Sequence, residues 1–146
     1  MALSSRGTRH PLPLPLLTPD DGRRVVSLAT DRGGEAATVL GCLDARRRPL
    51  TLFVLQGRGT ADELSRAVAI LLDAHAAAGP RSPLAALLLG SGRPGRTVAP
   101  EPADQRTWAA LVATGRRHRV RVLDWFVVAD GRTCSVAERD GPAAGW

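Results

Sequence analysis

The six residues Leu84-Ala85-Ala86-Leu87-Leu88-Leu89 are apolar without a break, and they stop abruptly at Gly90-Ser91-Gly92-Arg93-Pro94-Gly95. A run this short cannot span a bilayer, which takes about 20 apolar residues. Bounded by glycines and prolines, it reads as a buried strand. Helical patterns lie on both sides of it, so the chain is expected to be α/β.

The rest of the chain supplies the partners of that strand. "AATVLGCLD" (36–44) and "LTLFVLQ" (50–56) are two further strand candidates, and the short basic turn "ARRRP" between them predicts a hairpin. In "GRGTADELSRAVAILLDAHAAAGP", Thr60 and Glu63 form a capping box, and Asp62 and Glu63 suit a helix N-terminus. Leu64, Val68, Leu71 and Leu72 recur at helical spacing, and Gly79-Pro80 ends the helix. His75 lies on or beside that face and reads as a packed or surface histidine, because no second metal-ligand type accompanies it. A second helix is expected over about 102–117, carrying Trp108, Leu111 and Val112 inward. "RVRVLDWFVVAD" (119–130) is a strong strand, Asp130-Gly131 is a hairpin signal, and "RTCSVAE" closes the sheet. The order is hairpin, helix, strand, helix, hairpin. A short apolar run, "RVVSLA", precedes it from residue 24 and is counted as a first strand candidate.

Residues 1 to about 20 are expected to be a disordered leader, with one domain over 21–146. "HPLPLPLLTPD" alternates proline with leucine, which favours extended polyproline II and disfavours helix or central strand. No order of basic region, long apolar run and small-residue cleavage site is seen, so a cytoplasmic protein is expected. Cys42 and Cys134, far apart in apolar contexts, are expected to be reduced thiols.

The chain is 44% hydrophobic and 23% charged, values of a globular protein and not of a disordered one. Its net charge of +6 rests on arginine alone, since lysine is absent. A basic balance can point to nucleic acid. It also follows from a GC-rich coding sequence, which the abundance of Ala, Gly, Pro and Arg matches.

Gly90 to Gly95 spells G-x-G-x-x-G after a strand, yet a dinucleotide fingerprint requires the glycine turn to run directly into a helix. Pro94, Pro100 and Pro102 keep the chain extended instead, and Asp124 falls mid-strand where a ribose-binding acid would have to end one. Without Gly-Lys-Ser/Thr there is no P-loop either.

The stretch from Leu84 to Glu138 resembles the JAB/MPN-type domain of the RadC family, bacterial proteins long labelled as DNA-repair factors. In that family a buried strand enters a His-x-His-Pro-Ser-Gly loop, a serine follows the second histidine after seven intervening residues, and an aspartate comes three residues later. A helix, a Leu-Asp-His-hydrophobic strand, Gly-Asp-Gly and a last strand complete the frame. Here "LLLG" matches the strand, Pro94 the loop proline and Pro100 the proline before the serine, without a gap. "LVATGRRHRVRVLDWFVVADGRTCSVAER" is similar to the terminal helix, strand and hairpin, and "VLGCLDARRRPLTLFVLQGRGT" to the first hairpin and its Arg-Gly-Thr turn. The resemblance covers about residues 36–139. It implies a JAB/MPN-like mixed sheet flanked by helices.

The chemistry departs from that pattern. Ser91 and Arg93 occupy the two metal-binding histidine positions, Glu101 the serine position, and only Asp104 is kept. The family's general-base glutamate belongs on or near the first hairpin, where "LTLFVLQ" holds no carboxylate. A catalytic zinc needs about three protein ligands, and a fixed arginine charge repels a dication. The expectation is a chain without metal or other cofactor and without catalysis. It would act as a binding or scaffold module, tied to DNA repair by resemblance alone. The alternatives are a metal-dependent hydrolase with unrecognised ligands, or a weak, non-specific nucleic-acid binder.

Two readings of Asp104 stand side by side. It falls in the first turn of the second helix, where a carboxylate favours the helix dipole. It can also pair with Arg93 and hold the emptied site folded. The alternative for Arg93 and Arg96 is that both are surface loop arginines. The other constellation is "GRRHRVR" (115–121), in which Arg116, Arg117, Arg119 and Arg121 are either a solvated corner or candidate phosphate contacts. Trp108 and Trp125 are expected in the core and Trp146 is terminal, so few aromatics are left to stack on bases.

Overall fold

The computed structural model describes residues 14–31, 35–137 and 141–146. Among the described residues five strands form one mixed sheet: β1 (Ala37–Leu43), β2 (Pro49–Gln56), β3 (Ala86–Gly92), β4 (Arg121–Ala129) and β5 (Arg132–Ser135). It is flanked by α1 (Pro19–Asp31), α2 (Ala61–Ala78) and α3 (Pro102–Arg117). Across the sheet the order is β2-β1-β3-β4-β5, with β3 and β4 parallel and every other neighbour antiparallel. Parallel neighbours need a crossover, and α3 provides it between β3 and β4.

The unbroken apolar character of β3 follows from burial on both faces. Leu87 and Leu89 pack with α2 and α3 in a core that includes Leu64, Val68, Leu72, Trp108, Leu111 and Trp125. Ala86 and Leu88 point the opposite way, into a second core with Val26 of α1, Leu16, Leu43, Leu123 and Phe126. Alternation along the strand is present, but both faces are apolar because both are covered.

Helix α1 is where the expected pattern fails. Of the expected leader only residues 14–20 are described, and there Leu16 is buried and its N–H donates to the carbonyl of Arg47 (2.9 Å). Residues 1–13 lie outside the described residues. The helix begins at Pro19, inside the expected leader, and takes up the "RVVSLA" run, which is therefore helical and not a strand. Proline at the first helical position lacks only an N–H that would be unbonded there anyway. Thr18 caps it through Asp21 N–H (3.3 Å), while the Asp21 carboxylate accepts from the N–H groups of Leu17 and Thr18 (both 3.0 Å). These backbone donors hold the Asp21 carboxyl below the usual carboxylate range.

The strand β3 also runs three residues further than the apolar run, through Gly92. Gly90 and Gly92 are therefore strand residues and not loop residues. A Cβ on Gly90 would lie 2.4 Å from Val26 Cγ1, and one on Gly92 would lie 3.1 Å from Thr30 Cγ2. The glycines let α1 lie close on the sheet. Both cysteines are free thiols, and burial pushes the Cys42 thiol up to about 11, which leaves it protonated near neutral pH.

Candidate functional site

The loop after β3 lies at the carboxyl end of a parallel strand pair, beside the N-terminus of the crossover helix, where α/β sheets commonly bind ligands. Arg93 is anchored there by its own backbone, its N–H donating to the Val128 carbonyl (2.8 Å). Its side chain turns inward and is only 3% exposed, against 1% for Asp104. Nη1 and Nη2 donate to Asp104 Oδ2 and Oδ1, each at 2.8 Å, in a bidentate pair. The loop arginine is thus buried and not at the surface.

Two further elements converge on this pair. Arg93 Nε donates to the Gly59 carbonyl (2.7 Å), 34 residues upstream in the turn between β2 and α2. That turn is built by the start of α2. Thr60 Oγ1 accepts from Glu63 N–H (3.3 Å), as the capping box predicts. The Glu63 carboxylate reaches past the cap, however, and accepts from the N–H groups of Arg58 and Gly59 (2.9 Å each). From the other side, Asp104 Oδ2 accepts from the N–H of Glu101, the residue preceding α3 (2.8 Å). Asp104 thus does two things at once: it accepts from the residue preceding the helix and it pairs with Arg93.

The remaining positions are spoken for. Ser91 is fully buried and its hydroxyl accepts from Trp125 Nε1 (3.0 Å). Glu101 faces outward and pairs with Arg96 (2.9 Å), both side chains about half exposed. These residues do not fit a catalytic zinc. The Asp104 carboxylate already takes three donors, and the Arg93 guanidinium against it repels a dication. Among the described residues, no group of three or more His, Cys, Asp or Glu side chains could hold a metal ion. His75 is held by Ser82 Oγ (2.6 Å) and the His118 carbonyl (3.2 Å), as a packed histidine.

The basic cluster divides. Arg116, Arg119 and Arg121 line one open cleft of about 700 Å³, walled by Val112, Val120 and Val122. The guanidinium groups of Arg116 and Arg119 carry no hydrogen bond or ion pair among the described residues. Arg117 is not part of the lining and donates to Thr114 Oγ1 (3.0 Å). Arg119 has a left-handed backbone (φ 56°) and stands outside β4, which begins at Arg121.

One polar cluster had no sequence signal. Asp124 is 2% exposed; its Oδ1 accepts from Ser135 Oγ (2.6 Å) and its Oδ2 from Trp146 Nε1 (2.9 Å). Trp146 is docked and not a loose end: a Cβ on Gly22 would meet its ring at 2.6 Å. Trp108 and Trp125 are both fully buried.

No protein-family model matches this chain, and no curated protein matches it at a significant level. No helix among the described residues is long and apolar enough to cross a membrane.

Proposed function

We propose that this chain is a non-catalytic, RadC-like module of JAB/MPN type that works by binding a partner, its metal site replaced by an internal ion pair. The observation that supports this reading is the buried Arg93–Asp104 pair at the carboxyl end of β3. It lies at two of the positions where the resemblance puts metal ligands. A guanidinium supplies positive charge without an exchangeable coordination site, so the carboxylate is neutralised and no water is activated. The loop keeps its shape and the hydrolytic chemistry is lost. A role near DNA repair is carried by the family resemblance alone.

Purified protein is expected to hold far less than one zinc per chain, and a chelator should leave its melting temperature unchanged. Elemental analysis after extensive dialysis gives the first and thermal denaturation the second. About one zinc per chain would favour a metal-dependent hydrolase with a different ligand set and would overturn the proposal.

The arginine cleft favours a second reading, a weak contact with nucleic-acid phosphates. Three arginines on one cleft neutralise only a few phosphates, so binding should be sequence-independent and should fade as salt rises to physiological levels. Replacing Arg116, Arg119 and Arg121 together by glutamine should lower the slope of log affinity against log salt by about 3. Tight binding to one sequence that persists in high salt would put the protein in another class.

A further inference from the structure

Strand β2 is built like an interior strand and placed at an edge. Its sequence, PLTLFVLQ, has no charge and no proline after its first residue. All eight residues are exposed, with Leu50, Leu52, Phe53, Val54 and Leu55 each 41–45% exposed. The other edge, β5, is managed in the usual way: it has four residues, Arg132 among them. An eight-residue apolar edge that no described residue protects in this way is a template for another strand.

We infer that β2 pairs with β2 of a second copy, giving a two-fold dimer with one continuous ten-stranded sheet. This rests on β2 alone and is independent of the metal-site reading. The hydrogen-bond phase of the strand sets how the copies meet. Gly57 N–H donates to the Ala36 carbonyl, next to the Ala37–Gln56 pair. By alternation Phe53 and Leu55 turn their backbone groups to β1, and Leu52, Val54 and Gln56 turn theirs to the free edge.

A two-fold axis perpendicular to a sheet keeps each residue on its own face, so residues of like parity must pair and the axis must pass beside a residue. Centring it on Phe53 sets Leu52 against Val54 of the second copy, twice, in hydrogen-bonded pairs. Phe53 then meets Phe53 across the closer, non-hydrogen-bonded pair. Centring it on Leu52 would rely on Leu50, beside the register shift at Cys42/Leu43, and is poorer.

Area supports an occupant of this size. Taking roughly 200 Å² for each large apolar residue, the five exposures leave on the order of 400 Å² of apolar surface on β2. Two copies thus bring at most about 800 Å², to which their paired backbones add, so the dimer lies at or below the lower end of specific interfaces, about 1,200 Å². A reversible dimer is the outcome. The ends of the strand oppose it, because Arg48 of one copy falls opposite Arg58 of the other and both copies are cationic. Salt screens that repulsion, so association should tighten with ionic strength, whereas binding to phosphates should loosen.

Sedimentation of the full chain over the micromolar range is the test. Wild-type protein should show a concentration-dependent dimer that strengthens with salt. The double variant Leu52→Lys/Val54→Lys puts like charges opposite each other and should weaken dimerisation by at least about a hundredfold. Both side chains are exposed, so its circular dichroism and melting of the monomer should be unchanged. Phe53→Cys gives a reading that does not depend on affinity. Opposed residues in a non-hydrogen-bonded pair sit about 4.5 Å apart at Cα, within disulfide range, so mild oxidation should cross-link two copies. Leu52→Cys, which faces Val54, should cross-link far less. A monomer throughout the range, a dimer that survives the lysine pair, or a co-purifying peptide on a monomeric chain would each overturn the inference.

Discussion

Replacing Arg93 by alanine is expected to cost about 3 kcal/mol of folding stability, because it leaves the Asp104 carboxylate buried without its cation. Asp104→Ala should cost a similar amount for the converse reason. The two costs should not add. With both groups gone no stranded charge remains, and the double variant should be milder than the sum by about 2 kcal/mol. Chemical denaturation of the four proteins closes the cycle. Arg93→Lys separates charge from shape, since lysine keeps the cation but cannot donate in two parallel bonds while a third donor reaches Gly59. It should lose about 1–2 kcal/mol. Additive single costs would mean that the two side chains are stabilised separately, and the loop would no longer be held by their pairing.

The elements that were legible in the sequence are those whose signals are local. The capping residue Thr60 and the apolar spacing of α2 lie within one helix, and the runs that became β1 to β4 are read within a few residues. Helix α1 was not legible. Its buried side is little more than Gly22 and Val26, charged residues interrupt it, and the prolines before it act as breakers until Pro19 falls at the first helical position. The role of Gly90 and Gly92 was hidden for the same reason, since a glycine that admits a helix looks like a turn glycine until the helix is known.

The site shows the same division. Matched to a family frame, Arg93 and Asp104 could be paired from 11 residues apart, and the bidentate geometry follows from their chemistry. The Gly59 carbonyl could not be anticipated as the third partner, because its position depends on Glu63 gripping the preceding N–H groups. Nor could Asp124, Ser135 and Trp146 be grouped, as their meeting depends on the β4–β5 register and on where the last residues dock.

Gly59→Ala is expected to be about as damaging as removing the arginine. Gly59 has φ +65°, a left-handed conformation that an alanine enters at about 1 kcal/mol. The larger penalty is steric. A Cβ there would lie 2.5 Å from the carbonyl oxygen of Gly92 and 3.3 Å from Arg93 Cγ. The first of these is backbone inside β3 and cannot swing away, so the turn itself must shift and draw the Gly59 carbonyl off Arg93 Nε. Together these should cost about 3 kcal/mol. Gly95→Ala is the control, because Gly95 has φ +73° with nothing near its would-be Cβ, and only the conformational cost of about 1 kcal/mol applies. The excess at Gly59 should also shrink in an Arg93→Ala background, where the carbonyl no longer has a guanidinium to satisfy. Equal losses at Gly59 and Gly95 would show that the turn moves without disturbing the ion pair, and that Arg93 is held by Asp104 alone.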